Sequence, residues 1–392
     1  MQYRIRKCFL FTPSRREEIS EIRYFMKIFF SDLHLSDGKE RDDFQFHKEF
    51  DEVVKEYSEA IKKIEVVLLG DIFDLIRTQK YYEFEGIPRE EIKLMVMTDI
   101  TEQHTPFFET LRSFIAKPDH IVRYIIGNHD FATYLDSRLL QLIQVKYGLS
   151  LTPETYYRDE ELEIWAEHGH RYDTINNTFN KDGAPIEYCL GDRIVVEIVD
   201  KFYQEVKKRQ EELGIDPAII NDLDNVRPQC AIPNWLDSID EVGRLRQMYY
   251  DAITSFVVNN AGEVATLTWD LLTGKYRPDL LKAARDLARK KVGKYIIFGH
   301  THDALTKKLA KGTRYLNTGT WRKFIEPKGR PSSRMRTVPT YTESGTQFYA
   351  QEAYFYCKFK STINLSHVLF YEEGEGEVGP VLIQEEKQPP SP

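Results

Sequence analysis

The sequence predicts an α/β fold of stacked layers interrupted by a mostly helical insertion. Short apolar strand candidates alternate with amphipathic helical patterns, which is the rhythm of layered α/β architecture. Polar motifs rich in Asp, Asn and His follow directly after five of the strands. Between His168 and His300 the alternation gives way to helical spacing with few strand signals.

The first strand candidate covers 26–31, through Met26-Lys27-Ile28-Phe29-Phe30. Others fall at 66–69, 121–126, 162–166, 294–298, 314–317, 353–359 and 368–371. Helical spacing occupies 43–62, about 88–116, 132–147 and 279–291, with Gly293 placed to close the last as a C′ residue. In the insertion, Val195, Ile198, Val199, Phe202 and Val206 fall on one helical face, and a second helix spans about 238–259. The expected organisation is a core of 26–171 and 276–371 with a helical cap over 172–275. Residues 1–25 lack a clear period and read as a loose extension or as the product of an upstream start codon. The tail 372–392, rich in Gly, Glu and Pro, is expected to be disordered.

A chain of 392 residues, 41% hydrophobic and 30% charged, can bury a substantial core as one large domain with an insertion or as two modest ones. No apolar run approaches the roughly 18 residues of a transmembrane helix. The longest apolar stretch near the start, Cys8-Phe9-Leu10-Phe11, is shorter than the about 7–15 residues of a secretory signal, so the expected location is cytoplasmic. Cys8, Cys189, Cys230 and Cys357 are scattered without a CxxC pair, which argues against a disulfide framework or a structural zinc site. The net charge of −8 disfavours duplex nucleic acid as a principal partner, although a local basic patch keeps it open. Oligomeric state is not readable from the sequence.

The chemistry sits at the strand ends, where α/β proteins collect their sites. Asp32-Leu33-His34 follows 26–31, and Gly70-Asp71-Ile72-Phe73-Asp74 follows the strand ending at Leu69. Gly127-Asn128-His129-Asp130 follows 121–126, Glu167-His168-Gly169-His170 follows 162–166, and Gly299-His300-Thr301-His302 follows 294–298. Each alone has a bland reading: Asp as a turn former, Asp130 as a helix N-cap, Gly-His as a structural pair. Together they converge as carboxylate, imidazole and amide donors, a set that suits Mn, Fe, Zn or Co. A catalytic metal pair about 3.5–4 Å apart also needs a bridging ligand, for which a carboxylate is suited.

These blocks resemble the DxH, GDxxD, GNHD, lone-His and GHTH signatures of the calcineurin-like metallophosphoesterases, over about residues 26–320. The resemblance implies a β-sheet sandwich flanked by helices and a hydrolase with two divalent ions, manganese first among them. It implies that Asp32, His34 and His302 hold one metal, that Asn128, His168 and His300 hold the other, and that Asp71 bridges. His129 would stabilise phosphoryl oxygens or protonate the leaving oxygen, oriented by Asp74. The implied reaction is in-line attack of a metal-bridging hydroxide on a phosphodiester, phosphomonoester or phosphoanhydride. His170 would stand behind the ligands or face substrate.

The pattern departs from protein phosphatases, with Leu75-Ile76 where Arg-Gly would follow GDxxD and Asp130 where Glu would stand. The UDP-2,3-diacylglucosamine hydrolases are the most similar subfamily, in the Asp32-Leu33-His34-Leu35 opening and a helical insertion before the last block. This chain has His129 where those enzymes commonly have Arg, and His170 where they have Asp. The implied partner is a small phosphorylated molecule, nucleotide- or lipid-linked. A nuclease of the same superfamily and a catalytically silent protein-binding scaffold are the alternatives. The loop Leu316–Trp321 reads as site support or as a simple turn, and the basic run from Arg322 to Arg336 as a solvated loop or a second phosphate site.

Overall fold

In β1 (Phe25–Phe30) and β2 (Lys63–Leu69) successive side chains face opposite ways, and most on both faces are buried. Such strands need cover on both sides. The computed structural model describes residues 25–39, 41–240, 242–260, 262–272, 275–276, 278–341, 347–373 and 377–387, and it shows what lies on each side. The extension expected over 1–25 falls almost wholly outside the described residues.

β1, β2, β3 (His120–Ile125) and β4 (Pro153–Glu154) run parallel in a seven-stranded sheet. Beyond β1 that sheet continues through antiparallel strands, β10 (Trp321–Tyr341), β11 (Gln347–Glu373) and β12 (Glu377–Lys387), with β11 paired to β1. A second sheet of five strands has β6 (Ile164–Ala166), β7 (Tyr295–Phe298) and β9 (Arg314–Asn317) parallel at its centre. Its antiparallel edges are β5 (Tyr157–Asp159) and β8 (Leu305–Lys308).

The two sheets pack face to face, with Phe29, Val67, Leu69 and Ile125 meeting Ile164, Ala166, Ile297 and Leu316. On the far side of the first sheet, Ile28, Phe30, Val66 and Leu68 pack on Phe50 of α1 (His47–Ala60), Val96 of α2 (Arg89–Gln103), Phe107 of α3 (Thr105–Ile115) and Ile143 of α4 (Ser137–Tyr147). The outer face of the second sheet, Ile296 and Phe298, is covered by Ala284 and Leu287 of the helix Leu280–Lys290. The result is the expected helix–sheet–sheet–helix sandwich.

Several local expectations are corrected. Lys291, not Gly293, takes the left-handed conformation that ends the last helix. Gly293 is glycine for another reason, since a Cβ there would press on the Glu163 carbonyl. The helical pattern over 88–116 divides at His104, and the one over 132–147 divides at Asp136, whose carboxylate caps α4 by accepting from the Arg138 N–H at 3.0 Å. The tail expected to be disordered contains β12, because Val381, Leu382 and Ile383 supply a strand-forming run within the Glu-rich composition, and Leu382 and Ile383 pack on the core. Residues 388–392 lie outside the described residues. The basic run is β10 rather than a loop, and Arg322 is buried within it. Lys328 is exposed, and the side chains of Arg330, Arg334 and Arg336 lie outside the described residues.

Between His170 and Asp279 the described backbone is largely helical. Helices α5 (Leu190–Ile194) and α6 (Lys201–Lys208) are joined by a π-helical stretch, Val195–Asp200. That stretch turns the apolar stripe out of α-helical phase, so Val196 and Asp200 are buried while Val195 is only half-buried. Phe202 and Val206 pack with Trp235 of α7 (Ile232–Ile239) and with Tyr249, Ile253 and Phe256 of α8 (Arg244–Asn259). Tyr250 stays exposed. Ile325 of β10 joins this cluster, so the helical segment rests directly on the first sheet.

A buried ion network secures the contact. Arg77 reaches Asp43 and Asp224, each at 2.9 Å, and Arg41 pairs with Asp200 and with Asp224 at 2.6 Å. Arg322 donates to Asp43 at 2.6 Å and to Asn225 at 2.9 Å. Burial works to raise the Asp43 pKa, but Arg77 and Arg322 outweigh it and hold it near 2. A carboxyl depressed on folding contributes stability that is present above its unfolded pKa and lost as pH falls through the folded one. Folding stability is therefore expected to drop between about pH 4 and pH 2, with a smaller drop in Asp43→Asn. Asp224→Ala, which takes one of two carboxylate partners from each of the buried Arg41 and Arg77, is expected to cost about 1–3 kcal/mol by denaturant unfolding at neutral pH.

Candidate metal centre

The loops after β1, β2, β3, β6 and β7 meet at one end of the two sheets. Asp32, His34, Asp71, His300 and His302 all hold positive φ, between 53° and 70°. Non-glycine residues rarely adopt that conformation, and it persists only where surrounding structure imposes it. Here the Asp32 N–H donates to Gly70 O at 3.1 Å, His34 N–H to Asp71 O at 3.0 Å and Leu35 N–H to Ile72 O at 2.9 Å, which stitches the first two loops together. The third loop clamps on as well: the His129 N–H donates to Asp71 Oδ1 at 2.9 Å, and a Cβ on Gly127 would collide with the Asp71 carboxylate.

Three groups of donors result among the described residues, one of them His34, Asp71 and His129. The ligand atoms of Asp32, His34 and His302 lie within 4.8 Å of one another, as do those of Asp71, His168 and His300. His302 Nε2 is 3.2 Å from Asp32 Oδ1, and His168 Nε2 is 3.1 Å from Asp71 Oδ2. His34 Nε2 stands 4.0 Å from Asp32 Oδ1 and 3.9 Å from Asp71 Oδ2, so Asp71 faces both groups. Asn128 is buried in the third loop beside them.

Each imidazole is oriented by a partner on its other nitrogen, as metal-ligating histidines usually are. His168 Nδ1 donates to Leu69 O at 2.9 Å, which turns Nε2 toward Asp71. His34 Nδ1 lies 3.0 Å from Asp74 Oδ2, and His129 Nδ1 lies 3.0 Å from Asp74 Oδ1, so one carboxylate serves two histidines. His300 Nε2 is held at 2.8 Å by Asp173 Oδ2, which itself accepts from Tyr276 at 2.6 Å and Asn176 at 2.8 Å. Sequence reasoning missed Asp173, a loop aspartate outside every motif.

The electrostatics suit cations. Burial raises the Asp32 pKa above the usual carboxylate range, and neighbouring Asp71 adds to that rise. Burial pushes Asp71 the same way, but the His168 and His129 imidazoles hold it well below its ordinary value. Burial opposes protonation of His168 and His129, yet Asp71 and Asp32 lift the first to about 9, and Asp74 and Asp71 lift the second to about 10. His34 is driven down to about 3 by burial, with Asp74 pulling the other way. His302 falls well below its usual range through burial and then through Arg227 and Arg322. The carboxylates thus draw positive charge inward while His34 and His302 keep lone pairs, as metal ligands must. Asp32 Oδ1, Asn128 Oδ1 and His168 Nε2 are buried and satisfied by no hydrogen bond among the described residues. Orphaned donor atoms of this kind fit bound ions, and the buried His/Asp clusters suggest two of them.

Supporting residues fix the loops. Asp130 is not a helix cap: its side chain accepts from Gly127 N–H at 2.6 Å and Ile72 N–H at 2.9 Å, tying the second and third loops together. The Leu316–Trp321 loop is site support. Asn317 Nδ2 donates to Gly299 O at 2.6 Å, and Thr320 Oγ1 donates to Asp32 O at 2.7 Å. His170 is buried behind His168, its Nε2 2.9 Å from Thr178 Oγ1, so it does not face solvent. From the helical segment, Arg227 brings its Nη2 to 3.3 Å from His302 Nδ1. No helix among the described residues is long and apolar enough to cross a membrane.

Comparison with known proteins agrees with the motif blocks. No curated protein matches the chain. A crystal structure of a dimetal phosphatase from Danio rerio is similar at 13% identity over 92% of this chain and 99% of that one, with a TM-score of 0.32, too low to bear on fold or function. The family model of the calcineurin-like phosphoesterases matches residues 27–304, well over half of the chain. With that match and buried His/Asp metal-site clusters, the chain belongs to the calcineurin-like phosphoesterases and is a hydrolase of that family.

Proposed function

We propose that the protein hydrolyses a phosphodiester, phosphomonoester or phosphoanhydride of a small nucleotide- or lipid-linked molecule. In this reading Asp32, His34 and His302 hold one divalent ion, Asn128, His168 and His300 the other, and Asp71 serves both. The observation that carries it is the single carboxylate of Asp71 lying between two donor groups, 3.9 Å from His34 Nε2 and 3.1 Å from His168 Nε2. Bound divalent ions supply Lewis acidity toward phosphate oxygens and an activated water at neutral pH. We take manganese as the first ion to test, since mixed O and N donors without thiolate do not select among Mn, Fe, Zn and Co.

The chain's own groups do the rest. His129 keeps 18% of its side chain exposed, whereas His34 and His168 are at 1% or less, so among these imidazoles it is the one open to an incoming substrate. Anchored through Nδ1 by Asp74, it presents Nε2 to the phosphoryl oxygens or the leaving oxygen. Arg227, beside His302, supplies a fixed positive charge for a phosphate oxygen. Within the family we read the chain as similar to the UDP-2,3-diacylglucosamine hydrolases. What supports this is the Asp32-Leu33-His34-Leu35 opening and the helical segment between His168 and His300, which we read as a cap over the site. His129 in place of their common Arg points to a different substrate.

Chelator-stripped protein is expected to lose phosphoesterase turnover and regain it with added manganese, followed on bis(p-nitrophenyl) phosphate and p-nitrophenyl phosphate. Asp71→Ala is expected to abolish turnover and to bind fewer than two ions per chain by elemental analysis. Stoichiometric metal without cleavage of any phosphate ester or anhydride would favour the scaffold alternative. In His129→Ala both ions are expected to remain while kcat falls about 10²–10⁴-fold. Arg227→Ala is expected to raise KM about tenfold or more with metal content unchanged, the size of a lost charge-assisted hydrogen bond.

A further inference from the structure

The last motif loop does not end at its histidines. His302, Asp303 and Ala304 open onto a cleft of about 220 Å³ built against the antiparallel half of the first sheet. Three strands contribute alternate residues to one face, as strand geometry requires. Thr362, Asn364 and Ser366 come from β11, Gln384 and Glu386 from β12, and Phe324 and Glu326 from β10. The register pairs them across strands: Phe324 opposite Thr362, Asn364 opposite Glu386, and Ser366 opposite Gln384.

The chemistry of this face is specific. Asn364 is only 8% exposed, and its Nδ2 is buried without a hydrogen-bond partner among the described residues. A buried amide with unused protons is costly unless an acceptor arrives. Glu386 and Glu326 offer acceptors, with Lys360 held 3.2 Å from Glu326. Phe324 adds a flat apolar ring, and the Arg227 guanidinium sits 5.9 Å from its centroid. Two carboxylates disfavour a further anion here, and polar walls in so small a volume disfavour an acyl chain. What suits an amide donor, carboxylate acceptors and an aromatic face together is a neutral ring whose hydroxyls both donate and accept.

We infer that this cleft is a subsite for the group esterified to the phosphate, a monosaccharide-sized polyol. Its hydroxyls meet Asn364 and Glu386 and its ring lies on Phe324, while the phosphate is at the metal centre beside His302. This rests on the phosphoesterase reading above and names the substrate class that reading leaves open.

Binding can be read without turnover. Saturation-transfer NMR on the full chain with glucose 1-phosphate is expected to show transfer to the ring protons, reduced at least severalfold in Asn364→Leu and in the exposed strand-edge variant Gln384→Ala, both checked for folding by thermal unfolding. Absence of ring-proton transfer in wild type, or equal transfer in correctly folded variants, overturns the subsite. In manganese-loaded protein, the ratio of kcat/KM for sugar phosphates (glucose 1-phosphate and UDP-glucose) to that for p-nitrophenyl phosphate is expected to fall about tenfold in Asn364→Leu, mainly through KM. An unchanged ratio overturns the subsite and leaves the phosphoesterase reading intact. Ring-proton transfer without cleavage of any of these compounds overturns the phosphoesterase reading, and with it the role of the cleft as a substrate subsite.

Discussion

Two carboxylates buried within reach of five imidazoles set the terms for the rest of this molecule. Asp32 and Asp71 have little solvent to stabilise charge, and their pKa values move in opposite directions as they compete for the same histidines. Such a cluster is unstable in isolation, because each buried charge needs a partner that water cannot supply. The fold resolves this by pinning every loop to another. Backbone N–H groups of the Asp32 loop bond to the Asp71 loop, Asp130 ties the Asp71 and His129 loops, and Thr320 holds the Asp32 carbonyl. The left-handed conformations at five motif residues are the visible cost of that arrangement.

The helical segment is bound to this framework by charge as much as by apolar packing. Its Asp200, Asp222 and Asp224 meet Arg41, Lys323 and Arg77 of the core, with Asp200, Arg41 and Arg77 buried. Buried ion pairs contribute little net stability beside a hydrophobic alternative, but they punish misalignment, since an unpaired buried charge is expensive. The network therefore acts as a registration device. It fixes where Arg227 stands relative to His302.

Much of the centre was legible because its residues sit in short motifs at the ends of apolar strands, and strands of this kind are read from local composition. Asp74 could be assigned to His129 from its motif; that it also holds His34 needed the geometry. Asp173 and Arg227 carry no such mark. Each lies in an irregular stretch and gains its role from a partner more than 70 residues away in sequence. In the antiparallel half of the first sheet, β11 was legible in part through the candidates at 353–359 and 368–371, whereas β10 and β12 were hidden for a different reason. β10 contains Pro327, Pro331 and Pro339 along with its basic residues, and these argue against a strand locally. Long pairing with β11 overrides that preference. The run of apolar residues in β12 was masked by the acidic and glycine-rich segments around it.

The pairing of β1 with β11 has a consequence for how the protein is made. β1 carries Asp32 and His34 at its end, yet one of its edges is completed only by residues 368–371. A ribosome must therefore release residues 368–371 before the strand ahead of Asp32 and His34 can be fully paired. Until then its hydrogen-bonding edge is open, and strands left in that state are prone to associate with other chains. Contacts so distant in sequence also slow folding, because the loop between them must close first. Assembly of the site thus waits on β11, and loss of that strand reaches the chemistry through the sheet that supports it.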